Sequence, residues 1–442
     1  MAKQSLFNIW EGNILYNSYS DTAIEFQEEE VSSIKFYLEN LNSFEKNYPE
    51  IFDRFSVFHF VIPDDLDEIE MLMYKNKKKS TIDRNYHITI NPTLQCNYRC
   101  WYCCVEEQNT QYEKRRMDNQ TILNVSNHIT NIIHKNAAQS FHLDWFGGEP
   151  LMYFKEVVFP ISMHSLELCK RNNIPFSNHI TTNAYYIDEK MLSYFNEIKL
   201  NSFQIPIDGN EKKHNSVKNM NGVGHFRKII KTINLLCENI HDVIIILRIN
   251  YDKETLDNIK DIIPYISQNN RNSIFVDLQR VWQVQKTNDN NGNNSKLIEV
   301  KRVFEESGFN VDYYAFRHKG YLSCYADNYY HQVINYDGKV YKCSAKDYSA
   351  EICIGELMDS GNIKFNEAVM SKYFSHCTFD NETCRNCKIL PLCYGPCIQK
   401  CFDNHDKNSF QCLYETSELS LKWYIHDKVR HQNESLNKYM QQ

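Results

Sequence analysis

The sequence of 442 residues predicts an α/β fold in three parts: a small α+β domain, a partial (β/α)6 barrel and a cysteine-rich C-terminal domain. Three observations predict it. From Tyr86 onward, short apolar strand patterns alternate with amphipathic helix patterns, about six times in roughly 200 residues, which implies a parallel sheet. Before Tyr86 the order is strands and then helices, without alternation. Beyond Tyr313 helical periodicity fades and cysteines crowd in. An apolar fraction of 42% with 13% aromatics suits a globular protein with a sizeable core.

Residues 1–80 form the first predicted domain. Asn13 to Phe26 alternates weakly and reads as one or two strands. Glu28 to Leu41 carries Val31, Ile34, Leu38 and Leu41 at helical spacing. Phe55 to Ile62 reads as a strand stopped by Pro63, and Asp64 to Met73 as a helix with an acidic first turn. Lys75, Lys77, Lys78 and Lys79 read as a solvated linker. The pattern suits a small winged-helix or peptide-clamp module. Residues 1–85 hold 16 acidic and 9 basic side chains, so the whole formal charge of -7 resides there. The reading is a solvated acidic face or an attraction for a basic segment of a partner. Nothing in this balance calls for nucleic acid.

The barrel is predicted over 86–312. A strand His87 to Ile90 runs directly into a cysteine loop. Asp118 to His134 is an amphipathic helix with Ile122, Val125, Ile129 and Ile132 on one face. Strands follow at Ser140 to Phe146, up to Ile180, Ser202 to Ile207, Val243 to Asn250 and Ile274 to Val284. Helices intervene at Ile161 to Arg171, Glu189 to Asn196, Phe226 to Asn239 and Leu256 to Ser267. Right-handed crossovers curl such a sheet into a partial, TIM-like barrel with its active residues at the C-terminal strand ends. The run Asn288 to Asn294 reads as a mobile polar loop closing the barrel segment. The cysteine-rich domain is predicted over 313–415 and a C-terminal helix over 416–442. No signal peptide precedes the first domain, and no apolar run approaches membrane-spanning length, which predicts a cytoplasmic protein with no membrane partner.

Cys96, Cys100 and Cys103 give a C-x3-C-x2-C spacing. A [4Fe-4S] cluster has four irons, each usually tied by one thiolate, so three thiolates on a short loop leave one iron open for a small molecule. Zinc sites more often show two C-x2–4-C pairs, and a chain this long needs no disulfide stapling. Gly147-Gly148-Glu149-Pro150 follows at the end of a predicted strand, where glycines permit close backbone approach. With Tyr102 just before the last cysteine, these motifs resemble those of radical S-adenosylmethionine (radical SAM) enzymes. The resemblance implies that the open iron chelates SAM, which one electron cleaves to methionine and a 5'-deoxyadenosyl radical. It implies SAM contacts from Tyr102, Gly147 and Gly148, and a structural or SAM-contacting role for Glu149. Thr181, Thr182 and Asn183 resemble the family's polar cluster near the SAM ribose. Arg248 is a candidate for the SAM carboxylate, or else for a buried salt bridge. Many relatives have a serine two residues before the position of Asp208. Pro206 stands there, and Asp208 reads as a turn residue.

Cys324, Gly338 and Cys343 give C-x13-G-x4-C, and Cys384, Cys387, Cys393 and Cys397 give C-x2-C-x5-C-x3-C, with Cys412 beyond. A zinc ribbon would leave Cys324, Cys343 and Cys412 unexplained. The frame resembles the SPASM domain of peptide-modifying radical SAM enzymes. The resemblance implies two auxiliary [4Fe-4S] clusters, one on Cys324, Cys343 and Cys397 and one on Cys384, Cys387, Cys393 and Cys412. No cysteine stands at Arg317, His318, Lys319 or Gly320, so the first auxiliary cluster is expected to have an open iron or His318 as a ligand. Cys401 competes with Cys412. Cys104 reads as a non-ligand, and Cys169, Cys237 and Cys353 as core thiols.

The expected activity is hydrogen abstraction from a ribosomally made precursor peptide, followed by a thioether, carbon–carbon or carbon–oxygen crosslink. An edge strand of the first domain is expected to capture the leader. A one-electron donor such as flavodoxin or ferredoxin is the other partner. The alternatives are a sulfatase-maturating enzyme and a non-catalytic electron-transfer protein. Sulfatase maturases place an aspartate after the cysteine matching Cys343, and here Ser344 stands there.

Overall fold

The computed structural model describes residues 1–105, 115–284, 292–312, 320–345, 347–375, 378–399, 412, 414 and 417–440, without the side chains of 312 and 435–440. Arg317, His318, Lys319, Cys377, Cys401 and the 288–291 part of the polar loop lie outside the described residues.

The chain begins with strands β1 (Ala2–Gln4), β2 (Asn8–Glu11), β3 (Ile14–Asn17) and β4 (Thr22–Glu25) and helices α1 (Glu28–Glu39), α2 (Leu41–Asn47) and α3 (Pro49–Val57). Strand β5 (Val61–Pro63) and helix α4 (Glu68–Lys77) follow. β2, β3 and β4 form one antiparallel sheet, and β1 pairs with β5. The strand expected over Phe55 to Ile62 is mostly absent. Phe52 and Phe55 stand three apart on α3 and pack edge-on against Phe44, with Phe60 beside them. Aromatics favour strands because they pack well on a pleated surface. Here a helix face provides the packing instead. The second helix starts at Glu68 rather than Asp64, because the Asp67 side chain accepts from Ile69 N and Glu70 N. Lys75 to Lys79 is not a linker. Lys75 and Lys77 end α4, a π turn runs on over Lys78–Ile82, and Lys75 Nζ lies 4.7 Å above the Tyr19 ring.

The alternating region follows as β6 (Asn85–Ile90), α5 (Asn119–His134), β7 (Ser140–Trp145), α6 (Phe159–Arg171), β8 (Phe176–Thr181), α7 (Glu189–Glu197) and β9 (Leu200–Ile207). It continues with α8 (Glu211–Val217), a small hairpin of β10 (Asn219–Met220) and β11 (Val223–Gly224), α9 (Phe226–Asn239), β12 (Ile244–Tyr251), α10 (Lys253–Asn258) and β13 (Ile274–Arg280). The helix expected over Leu256 to Ser267 breaks after Asn258 into a 3-10 segment, Ile259–Tyr265, that contains Pro264. One further unit, α11 (Ser295–Glu306) and β14 (Asn310–Asp312), was not expected. Asn294 caps α11 through Leu297 N, and Leu297, Val300 and Phe304 bury one face.

β15 (His331–Ile334) then pairs parallel with β6, and β16 (Lys339–Tyr341), β17 (Gly355–Leu357) and β18 (Ile363–Phe365) extend the edge antiparallel. One sheet of eleven strands results, in the order β14-β13-β12-β9-β8-β7-β6-β15-β16-β17-β18. It therefore crosses position 313, where the sequence suggested a change of domain. Ile88, Ile90, Leu143, Trp145 and Ile180 bury the helix-facing side. The alternating residues His87, Thr89, His142 and Asp144 line the other, inner side.

The first sheets do not stand apart. Phe7, Ile69 and Leu72 pack with Phe379, Cys384, Leu390 and Tyr394. Tyr16 meets Tyr424 of the C-terminal helix Leu421–Met440 edge-on at 6.2 Å.

Candidate active site

Cys96, Cys100 and Cys103 occupy the loop that leaves β6. Its root is tied to the end of β7 by backbone bonds, Gly148 N to Thr93 O at 2.9 Å and Glu149 N to Gln95 O at 2.8 Å. The glycines are required for this approach. Gly147 has φ +106°, and an added Cβ would stand 2.4 Å from Thr93 O there and 2.0 Å from Gln95 O at Gly148. The close approach is to the chain's own backbone.

Glu149 is 1% exposed. Its carboxylate accepts from Leu151 N at 3.0 Å, Thr182 Oγ1 at 2.8 Å and Asn183 N at 2.9 Å. Burial raises its pKa to about 7 against the pull of these donors. Asn183 Nδ2 in turn donates to Asn97 Oδ1 at 2.8 Å, inside the cysteine loop. Glu149 thus ties the end of β7 to the end of β8, and Asn183 ties both to the thiols. Thr181 lies apart from this network, accepting from Gln204 Nε2 at 3.3 Å.

A second network holds the other end of the loop. The Tyr102 hydroxyl donates to Asp208 and accepts from Lys218 Nζ at 2.6 Å and from Asn250 Nδ2 at 3.0 Å. Lys218 also donates to Asp208, and the two side chains are 3% and 2% exposed. Burial works against the Lys218 charge, but Asp208 and Tyr102 hold it protonated well above the usual range. Burial holds neighbouring His214 neutral, at about 3. Asp208 is therefore a buried anchor at the end of β9 rather than a plain turn residue. The sequence reading missed Lys218, which follows α8 with no motif to mark it. Arg248 stands 3.8 Å from Asp277 and donates to Asn250 Oδ1 at 3.1 Å, its side chain 37% exposed. It is a loose pair rather than a buried salt bridge.

The later cysteines gather in two groups. Cys324 lies within electrostatic reach of Cys343 and Cys397. Cys384 lies within reach of Cys387, Cys393 and Cys412. Cys104 feels both Cys103 and Cys343, so it sits between the triplet and the Cys324 group, and burial pushes its thiol up to about 11. None of the fourteen described cysteines is joined in a disulfide. Backbone amides of Tyr98, Ala345 and Gly395 donate to the sulfurs of Cys96, Cys343 and Cys393, each at 3.4 Å. Burial pushes Cys324 and Cys384 up to about 12 each. Such thiols ionise only for a cation held among them, and clustered sulfurs with amide donors fit iron–sulfur groups.

Residues 90–266 match the family model described as Radical SAM superfamily, and this region is a radical SAM domain. The chain is 23% identical over 380 residues to the radical SAM cyclopropyl synthase TigE of Paramaledivibacter caminithermalis, covering 79% of this chain and 76% of that protein. Among solved structures it is similar to anSMEcpe with bound AdoMet, at TM-score 0.58 and 18% identity over 80% of this chain and 96% of that one. It is also similar to Streptococcus suis SuiB bound to the precursor peptide SuiA, at TM-score 0.52 and 17% identity over 93% and 98%. At these identities the likeness to the solved structures is one of fold.

Proposed function

We propose that the chain is a radical SAM oxidoreductase that crosslinks a ribosomally made precursor peptide through a thioether, carbon–carbon or carbon–oxygen bond. One observation carries this reading: the thiol triplet, the Gly147–Glu149 loop, Thr182, Asn183 and Tyr102 converge at the C-terminal ends of β6, β7, β8 and β9. Parallel α/β sheets bind ligands at that end. Bound there, a [4Fe-4S] cluster on Cys96, Cys100 and Cys103 together with SAM supplies the one-electron cleavage that yields a 5'-deoxyadenosyl radical.

The chain's own residues hold and orient. Glu149 fixes the glycine backbone beside the thiols, and the Asp208–Lys218 pair fixes Tyr102 next to Cys103. The Arg248 guanidinium, 37% exposed and only 3.8 Å from Asp277, would exchange that loose partner for the SAM carboxylate. Auxiliary clusters on Cys324, Cys343 and Cys397 and on Cys384, Cys387, Cys393 and Cys412 would take up the electron that crosslinking releases. Flavodoxin or ferredoxin would supply the first electron in the cytoplasm; no described helix is long and apolar enough to cross a membrane. The outer strands β2 and β4 offer edges to an extended leader. SuiB, solved with its precursor peptide, supports a peptide substrate. The sulfatase-maturating reading is weaker, because Ser344, whose Oγ lies 2.9 Å from the Tyr325 hydroxyl, offers no carboxylate to accept a proton.

The test is mass spectrometry of short peptides encoded beside the gene, coexpressed with wild type and with Cys100→Ala. The proposal expects loss of two hydrogens per crosslink with wild type only. The same loss with the variant, or SAM cleavage with no peptide ever modified, would reject it.

A further inference from the structure

The proposed crosslinking removes two hydrogens from the peptide. One leaves as an atom to the 5'-deoxyadenosyl radical. The other leaves as a proton and an electron when a partner atom bonds to the carbon radical. Auxiliary clusters would take the electron, but Ser344 is no acceptor for the proton. The inner face of the parallel sheet offers an acceptor elsewhere.

In the sheet register His331 of β15 stands opposite His87 of β6, and His87 opposite His142 of β7. Asp144 of β7 stands between Thr89 of β6 and His179 of β8. Three of the four imidazoles are already committed or closed off. His142 Nδ1 lies 2.6 Å from Ser177 Oγ and His179 Nδ1 lies 2.7 Å from Ser202 Oγ, so a serine holds each of these rings. His331 is 1% exposed and shut away from a substrate. His87 differs from all three. Its side chain is 26% exposed, and its Nε2 faces Asp144 Oδ2 at 3.5 Å. His87 Nε2 and Asp144 Oδ1 are buried without a hydrogen-bond partner. Thr89 Oγ1 donates to Asp144 Oδ2 at 3.3 Å, and Oδ1 stands 4.0 Å from His179 Nε2. Among the described residues no lysine or arginine pairs with Asp144.

A carboxylate beside one ring nitrogen is the arrangement that orients an imidazole base. A small rotation closes the 3.5 Å gap to a hydrogen bond, the kind of tightening that substrate brings to catalytic pairs. His87 Nε2–H then donates to Asp144, and the lone pair resides on Nδ1. The ring also stands beside the place the electron goes. Tyr325 packs its ring 6.1 Å from that of His87, while its hydroxyl lies 3.9 Å from Cys343 Sγ and 2.9 Å from Ser344 Oγ. One tyrosine separates the imidazole from the Cys324 group of thiols.

We propose that His87, oriented by Asp144, is the proton acceptor of the crosslinking step. This inference rests on the peptide-crosslinking reading. The peptide's carbon–hydrogen bond breaks first, and its hydrogen atom goes to the deoxyadenosyl radical. The new bond then forms between the carbon radical and its partner atom. The proton of that partner passes to His87 Nδ1, and the one electron released passes to an oxidised auxiliary iron–sulfur cluster. Proton and electron leave the peptide toward the same wall of the lumen.

The test compares cluster-loaded wild type, His87→Gln, Asp144→Asn and His142→Gln on a peptide deuterated at the carbon that wild type crosslinks. Every variant is expected to transfer deuterium into deoxyadenosine. Crosslinked peptide should fall about 100-fold or more in His87→Gln and in Asp144→Asn and persist in His142→Gln. Peptide affinity, measured by calorimetry without SAM, should stay unchanged throughout. Undiminished crosslinking in His87→Gln or Asp144→Asn would overturn the proposal. So would a matching loss in His142→Gln or a weakened peptide affinity, since either marks a structural role. If His87→Gln forms no deoxyadenosine, Asp144→Asn decides in its place. A wild type that crosslinks no peptide overturns the underlying reading and this inference with it, an outcome distinct from equal crosslinking by wild type and variants.

Discussion

The triplet and the later cysteines are built on opposite plans. The triplet loop hangs from the ends of parallel strands. Two buried networks clamp it, Glu149 with Thr182 and Asn183 on one side and Asp208 with Lys218 and Tyr102 on the other. The Cys384 group sits on two helices of four residues each, Glu382–Arg385 and Leu390–Cys393, which bury Cys384, Leu390, Pro391 and Leu392 but are each only about one turn long. The first plan lets the protein organise a reactive centre before any cofactor arrives. The second sets its thiols on single-turn helices, which have little stability of their own and gain order from packing and from whatever the thiols bind.

The largest expected effect breaks the comparison into its halves. Cys100→Ala should abolish deoxyadenosine formation and remove roughly four irons per chain, with little change in the melting temperature of the barrel. Cys387→Ala should also lose about one cluster's iron, but here hydrogen exchange should rise across 378–399 while the SAM-sensitive resonance of the reduced triplet centre persists. Similar exchange profiles for the two variants would erase the distinction. Next, Asp208→Asn leaves the Lys218 charge buried and unpaired, a loss of about 3–5 kcal/mol in denaturant unfolding, which should exceed that of any single change near Cys384. Third, Glu149→Gln keeps the shape but weakens three accepted bonds, costing about 1–3 kcal/mol and raising the concentration of SAM needed for half-maximal cleavage.

The smallest effect concerns the C-terminal helix. Asp427 and Glu305 raise His431 to about 9, so its contribution to stability is complete below its unfolded value near 6.5 and is lost as pH rises through about 9. Wild type should lose melting temperature between those limits faster than His431→Gln, and equal slopes would show that the cluster carries no linked proton.

Much of this was legible in the chain. Cys96 to Cys103 and Gly147 to Pro150 are local motifs, and local motifs survive whatever surrounds them. The β/α alternation was readable because helix and strand periods differ. α11 escaped although Asn294 followed by Leu297, Val300 and Phe304 is a capped helical pattern; the asparagine run before it reads as loop and masks the start. Phe55 was misplaced because aromatic propensity favours strands, and only tertiary contacts with Phe44 and Phe60 decide otherwise. Lys218 could not be found from sequence, since its meaning comes from Asp208, which lies ten residues earlier, and from Tyr102, which lies 116 earlier. Nor does any periodicity announce that His87, His142 and His179 share one interior.

The parallel pairing of β15 with β6 has a consequence for biosynthesis. Asn91 and Asn335, which bond just past this pair, are 244 residues apart. At ~5–20 residues per second a ribosome needs roughly 10–50 s to deliver the second after the first. Throughout that interval the strand that launches the triplet is an open edge beside exposed thiols. The nascent chain is therefore most vulnerable to oxidation and to mispairing before its last third emerges, and iron loading completed after release would meet a finished barrel wall.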